Sequence, residues 1–131
     1  MRLIRIISFP AVAAAYFVLT SCSDSGSDKY YKSSVIVPVN TFTIGVEGPA
    51  VDRHGNVYAV NFETEGTIGK ITPDNQAGLF IRLPEGSIGN GIRFDSRGNM
   101  LIADYTMHNI LKVDMATGQI SVFANEPLMS Q

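Results

Sequence analysis

The chain has 131 residues, 45% of them hydrophobic and one of them a cysteine, so it is long enough for one small domain and lacks an internal disulfide framework. Ten basic and twelve acidic residues give a net charge of −2. Because the charge is acidic and no basic stripe with interleaved aromatic residues is present, nucleic acid is excluded as an expected partner.

The first 21 residues have the pattern of a secretory signal. Two arginines precede an apolar run over residues 6–19, which is shorter than the roughly 20 residues that a membrane-spanning helix needs. The run ends in Leu-Thr-Ser-Cys at residues 19–22, which resembles the lipobox of bacterial lipoproteins, where the cysteine is lipidated and becomes the first mature residue. We therefore expect cleavage after residue 21 and membrane anchoring through Cys22 in the bacterial cell envelope, on the periplasmic or cell-surface side. The alternative is an ordinary secreted protein with an incidental cysteine.

Residues 22–34 are rich in Ser, Asp, Gly and Lys, which predicts a flexible tether between the membrane and a folded domain. Without the two arginines of the leader, eight basic residues face twelve acidic ones, and the net charge of the mature chain is −4.

The remaining residues, 35–131, contain an internal repeat. The segment Asp52-x-x-Gly-Asn56 recurs 43 residues later as Asp95-x-x-Gly-Asn99, and an apolar stretch follows each copy. Gly and Asn in such a segment supply the positive φ of a tight hairpin. Four short antiparallel strands at a period near 43 residues are typical of a β-propeller blade. The sequence therefore predicts an all-β fold with about two four-stranded blades and no helix.

Alternating valines predict a further outer strand over residues 35–43. This strand either completes the last blade of a closed propeller or stands alone on the first blade. Because two blades do not close a ring of four to eight, we expect the chain to be a truncated piece of a longer propeller. Assembly of several chains into one ring is the alternative.

Glu47 and Asn90 occupy the same position of the repeat, each immediately before a glycine. The first strand of each propeller blade lines the central channel, so we expect the two side chains to face one another across it. A carboxylate and a carboxamide suit a hard cation such as Ca²⁺, whereas the lack of a usable cysteine or paired histidines disfavours structural zinc. The alternative is that the two glycines serve backbone geometry and that Glu47 and Asn90 bond local amides.

Three segments resemble the family of senescence marker protein, gluconolactonase and luciferin-regenerating enzyme: Glu47-Gly48-Pro49, residues 90–95 and residues 101–105. The resemblance runs from about residue 43 to residue 131 and covers the first blades. It implies a six-bladed propeller when complete and a lactonase that depends on Ca²⁺ or Zn²⁺, with Glu47 as a metal ligand. Asn-Gly motifs supply further ligands in that family, and Asn90 matches the motif.

Two functions are therefore expected from the sequence. The first is a lipid-anchored, metal-dependent lactonase that opens a sugar lactone or similar small-molecule lactone. The alternative is a non-catalytic propeller, similar to NHL-repeat proteins, that binds a glycan or protein partner, because related propellers share these signatures without the same reaction. Fold alone does not decide between them.

Other polar and aromatic residues have simpler interpretations. We expect His54 and His108 to be solvated in turns, and Asp104 to be a turn or strand-end cap and not a general base. We expect Phe62 and Tyr105 to pack between blades, with substrate stacking as the alternative.

The lipobox predicts that labelled fatty acid enters the wild-type protein and does not enter Cys22→Ser, because the thiol is the acceptor. Metabolic labelling in a bacterial host, with equal expression of both proteins checked by immunoblot, measures this. Equal labelling of the two proteins would contradict the lipid anchor.

Overall fold

A computed structural model describes residues 32–126 of the protein. The signal sequence, Cys22 and most of the tether lie outside the described residues. All the strands belong to one compact unit, which begins at Ser34. No helix within residues 32–126 is long and apolar enough to cross a membrane.

Eight β-strands within the described residues form two four-stranded antiparallel sheets, each in sequence order. The first sheet contains β1 (Ala50–Val51), β2 (Val57–Val60), β3 (Thr67–Ile71) and β4 (Ala77–Arg82). The second contains β5 (Gly89–Phe94), β6 (Met100–Asp104), β7 (Asn109–Val113) and β8 (Ile120–Asn125). Residues 32–126 include no helix, so the prediction of an all-β fold with two four-stranded propeller blades is confirmed.

The repeated turns are built alike because the same side chains close them. The Asp52 carboxylate accepts hydrogen bonds from the backbone N–H groups two and four residues later and from the side chain of Asn56. Asp95 accepts the equivalent three, including one from Asn99. The glycine before each asparagine has a positive φ, +81° in the first copy and +86° in the second. Local chemistry therefore sets the hairpins that join β1 to β2 and β5 to β6.

One hydrophobic core lies between the two sheets. Its fully buried side chains are Tyr58, Val60 and Ile68 from the first sheet and Ile92, Met100, Ile102, Leu111 and Val113 from the second. Each large apolar side chain buried in this way contributes about 1.5–3 kcal/mol to stability. At Gly89 the sheets come so close that an added Cβ would lie 3.0 Å from Val60 and 3.2 Å from Ile102.

The second sheet repeats, on its other face, the surface that the first sheet buries. The pairing of β2 with β3 has the same register as the pairing of β6 with β7. The core residues at positions 58, 60 and 68 of the first sheet are therefore equivalent to Leu101, Ala103 and Ile110 of the second. Successive strand residues point to opposite faces, which directs these three away from the core. They are partly or fully exposed. We call this surface the open face.

The strand predicted over residues 35–43 does not form, and that prediction is wrong. Its only β pairing within the described residues is an isolated bridge between Phe42 and Phe62. A turn at Pro38, whose carbonyl accepts hydrogen bonds from Thr41, breaks the extended run. Phe42 instead packs edge-on against Phe62, with ring centroids 5.5 Å apart, and lies over Gly69 on the face of the first sheet that points away from the second.

The two sheets meet at a pair of glycines, Gly48 in the segment before β1 and Gly91 in β5. Gly48, with φ of +52°, lies so close to the next sheet that an added Cβ would be 2.5 Å from the Gly91 Cα and 2.6 Å from the Asn90 carbonyl oxygen. Real Cβ atoms do not tolerate backbone at that distance. The sequence Glu-Gly followed 43 residues later by Asn-Gly therefore brings two backbones into direct contact.

This contact predicts that Gly48→Ala destabilises the protein for two reasons, the left-handed backbone and the clash with Gly91. Gly98→Ala is the matched control, because Gly98 also has a positive φ but an added Cβ there meets no atom within 4 Å. The control should lose only the backbone term, about 1–2 kcal/mol. Gly48→Ala should lose about 1–3 kcal/mol more by overpacking. Chemical denaturation of both variants measures the difference, and equal losses would contradict the contact.

Candidate functional site

Glu47 and Asn90 line the same pocket, which has a volume of about 250 Å³. The other lining residues are Gly45, Asn61, Ile88, Gly89 and Tyr105. The structure thus brings the two predicted site residues together. They lie side by side, Glu47 in the segment before β1 and Asn90 within β5, and not across a channel as the sequence suggested, because the Gly48 and Gly91 backbones touch.

Main-chain hydrogen bonds to β2 and its end hold the segment that carries Glu47. The Glu47 carbonyl accepts a hydrogen bond from the Val60 N–H at 3.4 Å, and the Thr43 N–H donates to the Asn61 carbonyl at 2.9 Å. The Glu47 side chain itself is exposed. The backbone at Glu47 is therefore held by hydrogen bonds, while its carboxylate is accessible from the pocket and from solvent.

Asn90 reaches the pocket through a β-bulge. In the pairing of β5 with β6, Gly89 faces Asp104 and Gly91 faces Ala103, so Asn90 is the extra residue without a partner in the ladder. Bulges re-aim a side chain and are frequent beside functional sites. The exposed Asn90 carboxamide is thus displaced from the regular alternation of the strand.

Asn61 and Asp104 lie at the same position of the repeat, at the end of the second strand, and each ties down the segment that leads into the first strand. Asp104 accepts hydrogen bonds from the hydroxyl of Ser87 at 2.7 Å and from the backbone N–H of Ile88 at 3.3 Å. Three more donors reach it, namely the Thr106 hydroxyl, the Met107 N–H and the Asn109 amide. The expectation that Asp104 is a strand-end cap is confirmed.

Asn61 makes the corresponding link with opposite polarity, since its Nδ2 donates to the Gly45 carbonyl at 2.8 Å. Its Oδ1 is buried and has no hydrogen-bond partner. The sequence did not predict Asn61 as a functional residue. The sequence signal for Asn61 is its equivalence to Asp104 in the repeat. Both residues bond the segment that leads into a first strand, and in the first repeat that segment carries Glu47.

The ionisation of Asp104 reflects two opposed effects. Burial by itself raises the pKa of this carboxyl, but the hydrogen bonds from Ser87, Met107, Asn109 and Ile88 together outweigh it, so its pKa lies below the ordinary value. Asp104 is therefore a carboxylate at neutral pH, and its lone pairs are used within the fold. This environment suits a structural anion and not a proton acceptor for a reaction.

The other residues singled out from the sequence have structural roles or none. His54 is exposed, and its Nε2 accepts a hydrogen bond from Arg53; His108 lies in a turn with φ of +55°. Phe62 is buried, but against Phe42 and not between the two sheets. Tyr105 is 69% exposed at the edge of the pocket, so the expectation that it packs between blades is wrong within the described residues.

The donor atoms of the pocket are oxygens. Among residues 32–126 no three His, Cys, Asp or Glu side chains form a metal-binding group. Glu47, Asn61 and Asn90 line the pocket and carry one carboxylate and two carboxamides, and the Oδ1 of Asn61 has no hydrogen-bond partner. This set fits a hard cation such as Ca²⁺, which takes six to eight oxygen ligands in flexible geometry, with the remaining ligands supplied by water or other oxygens. It fits Zn²⁺ poorly, since protein sites for that ion use sulfur and nitrogen as well.

Comparison with known proteins supports the fold alone. No protein-family model and no curated protein sequence matches the chain. The structure is similar to the crystal structure of selenomethionine-substituted virginiamycin B lyase from Staphylococcus aureus, a propeller protein, with a TM-score of 0.53 and 16% sequence identity. The match covers 67% of this chain and 28% of that one, so the chain corresponds to about a quarter of that protein.

The Asp104 network predicts a pH-dependent loss of stability in Asp104→Asn. Because the pKa of Asp104 is lowered by folding, its contribution is present above the unfolded pKa of about 3.9 and is lost as the pH falls through the lower folded value. At pH 7 the variant should therefore unfold about 1–3 kcal/mol more easily, since donors that met a carboxylate would meet an amide. Denaturation between pH 7 and pH 3 measures this.

The difference between wild type and Asp104→Asn should narrow below about pH 4. Glu85→Gln, which removes an exposed carboxylate, is the control for the change in net charge. A difference that stays constant from pH 7 to pH 3 would contradict the role of the ionised carboxyl.

Proposed function

We propose that the protein is a metal-dependent lactonase of the bacterial cell envelope, similar to the senescence marker protein and gluconolactonase family. The observation that supports this best is that Glu47 and Asn90, which match that family's motifs, line one pocket. The propeller fold is compatible with the proposal but does not by itself imply it. The substrate class is a sugar lactone or similar small lactone.

The reaction is hydrolysis of a cyclic ester. Water adds to the lactone carbonyl carbon, the bond from that carbon to the ring oxygen breaks, and the ring oxygen takes a proton to give a hydroxy acid. A hard cation bound at the site supplies Lewis-acid polarisation of the carbonyl oxygen. Glu47 and Asn90 would hold that cation, and the exposed ring of Tyr105 at the pocket edge offers an apolar surface to a substrate.

Membrane attachment is the second part of the proposal. The leader and lipobox support anchoring through Cys22, with residues 22–34 as the tether, and Cys22 lies outside the described residues. An envelope lactonase on such a tether would meet small sugar-derived substrates in the periplasm or at the cell surface.

A non-catalytic propeller that binds a glycan or protein partner is the second candidate. It is favoured by the exposed aromatic side chain of Tyr105, which lines the pocket and is 69% exposed. Aromatic rings of this kind serve ligand binding without catalysis. The two candidates differ in whether a cation is needed for activity.

The proposal predicts that Glu47→Gln weakens Ca²⁺ binding and lowers lactone hydrolysis together. Removing the only carboxylate among the described residues that line the pocket should reduce affinity about tenfold or more, which corresponds to about 1.4 kcal/mol. Calorimetric titration with Ca²⁺ and a hydrolysis assay on sugar lactones, each with and without chelator, measure the two effects. Glu85→Gln, an exposed substitution that does not touch the pocket, should change neither.

Hydrolysis that resists both chelator and Glu47→Gln would rule out the metal-dependent reaction. Absence of hydrolysis in the wild-type protein, with glycan or protein binding retained, would favour the second candidate.

A further inference from the structure

We propose that Asn61 supplies a third protein oxygen, its side-chain Oδ1, to a cation held in the pocket of Glu47 and Asn90. The inference rests on the proposed function in that it assumes a cation site there, and it adds a ligand that the repeat motifs did not indicate. It does not depend on what reaction the site performs.

The first observation is an unsatisfied buried atom. Asn61 is 5% exposed, and its Oδ1 is buried without a hydrogen-bond partner. It is the one such side-chain atom among the described residues. Leaving a buried acceptor unpaired costs about 1–3 kcal/mol, and the large majority of buried polar atoms avoid it. A bound partner at Oδ1 would offset that cost.

The orientation of the carboxamide is fixed by its other end. Nδ2 donates to the Gly45 carbonyl oxygen at 2.8 Å, whereas a flipped amide would place Oδ1 against that oxygen, acceptor against acceptor. The side chain therefore cannot turn its oxygen toward Gly45. At the equivalent position of the second repeat, Asp104 has five donors, so the open acceptor is a property of Asn61 and not of the repeat.

The surroundings favour a cation as the partner over a neutral donor. Asn61 lines the pocket together with Glu47 and Asn90, and none of the lining residues within 32–126 is Lys, Arg or His. These described lining residues therefore have a formal charge of −1. A carboxylate and two carboxamide oxygens, each on a different segment of backbone, form a ligand set for Ca²⁺ that water can complete.

Terbium luminescence tests the proposal, because Tb³⁺ replaces Ca²⁺ at oxygen sites and is excited through a nearby tyrosine. Tyr105 lines the pocket, and the chain has no tryptophan. In the full chain, Tb³⁺ titration and its displacement by Ca²⁺ should give a wild-type affinity. Asn61→Ala should weaken that affinity about tenfold.

Asn61→Asp separates a ligand from a positioning residue. Both Asn61→Ala and Asn61→Asp lose the donor to Gly45, but only the aspartate keeps an oxygen, with added charge. We expect Asn61→Asp to bind Tb³⁺ at least as tightly as wild type. Gln119→Ala, which removes an exposed carboxamide that does not line the pocket, should leave the affinity unchanged.

Three results would overturn the proposal: no Tb³⁺ binding by wild type, no loss in Asn61→Ala, or equal losses in the alanine and aspartate variants. If neither variant keeps the β-sheet circular dichroism of wild type, the ¹³Cγ resonance of Asn61 in the wild-type protein decides. It should shift on Ca²⁺ addition, and an unchanged resonance overturns the proposal. Cation binding through Asn61 without lactone hydrolysis would reject only the proposed reaction.

Discussion

The contact between the Gly48 and Gly91 backbones is the constraint on which the candidate site depends. The segment before β1 can approach β5 to this distance only where residue 48 has no side chain, since an added Cβ at Gly48 would lie 2.5 Å from the Gly91 Cα. The residues before the two glycines, Glu47 and Asn90, are brought into one pocket by that approach. Gly48 therefore serves backbone geometry and at the same time brings the two candidate residues together.

A second constraint acts from the ends of β2 and β6. Asn61 and Asp104 each tie the end of a second strand to the segment that leads into a first strand, one by donating and the other by accepting. Asp104 is saturated with donors, and this makes it a rigid part of the fold. Asn61 makes the equivalent link through its Nδ2, and its Oδ1 has no hydrogen-bond partner. The two repeats thus share this link between strand end and first strand, but among the described residues only the first repeat has a buried unpaired side-chain acceptor, the Oδ1 of Asn61.

The sheets could be predicted from the sequence because their signals are local. The Asp-x-x-Gly-Asn segments close their own turns with their own side chains, so two copies are enough to place eight strands. The failures concern long-range packing. Alternating valines over residues 35–43 indicated a strand, but the turn at Pro38 interrupts it. The bulge that displaces Asn90 and the unpaired oxygen of Asn61 depend on tertiary contacts that no periodicity encodes.

The open face and the ring of Phe42 lie on the outer faces of the second and the first sheet, respectively. An interface between unlike faces of one repeating unit is heterologous, so each added sheet offers the same surface again, and growth continues unless the rotation closes a ring. The open face provides one half of such an interface. The other half, the outer face of the first sheet, is occupied where Phe42 lies over Gly69. A head-to-tail interface of this kind between two copies would therefore require Phe42 to leave Gly69.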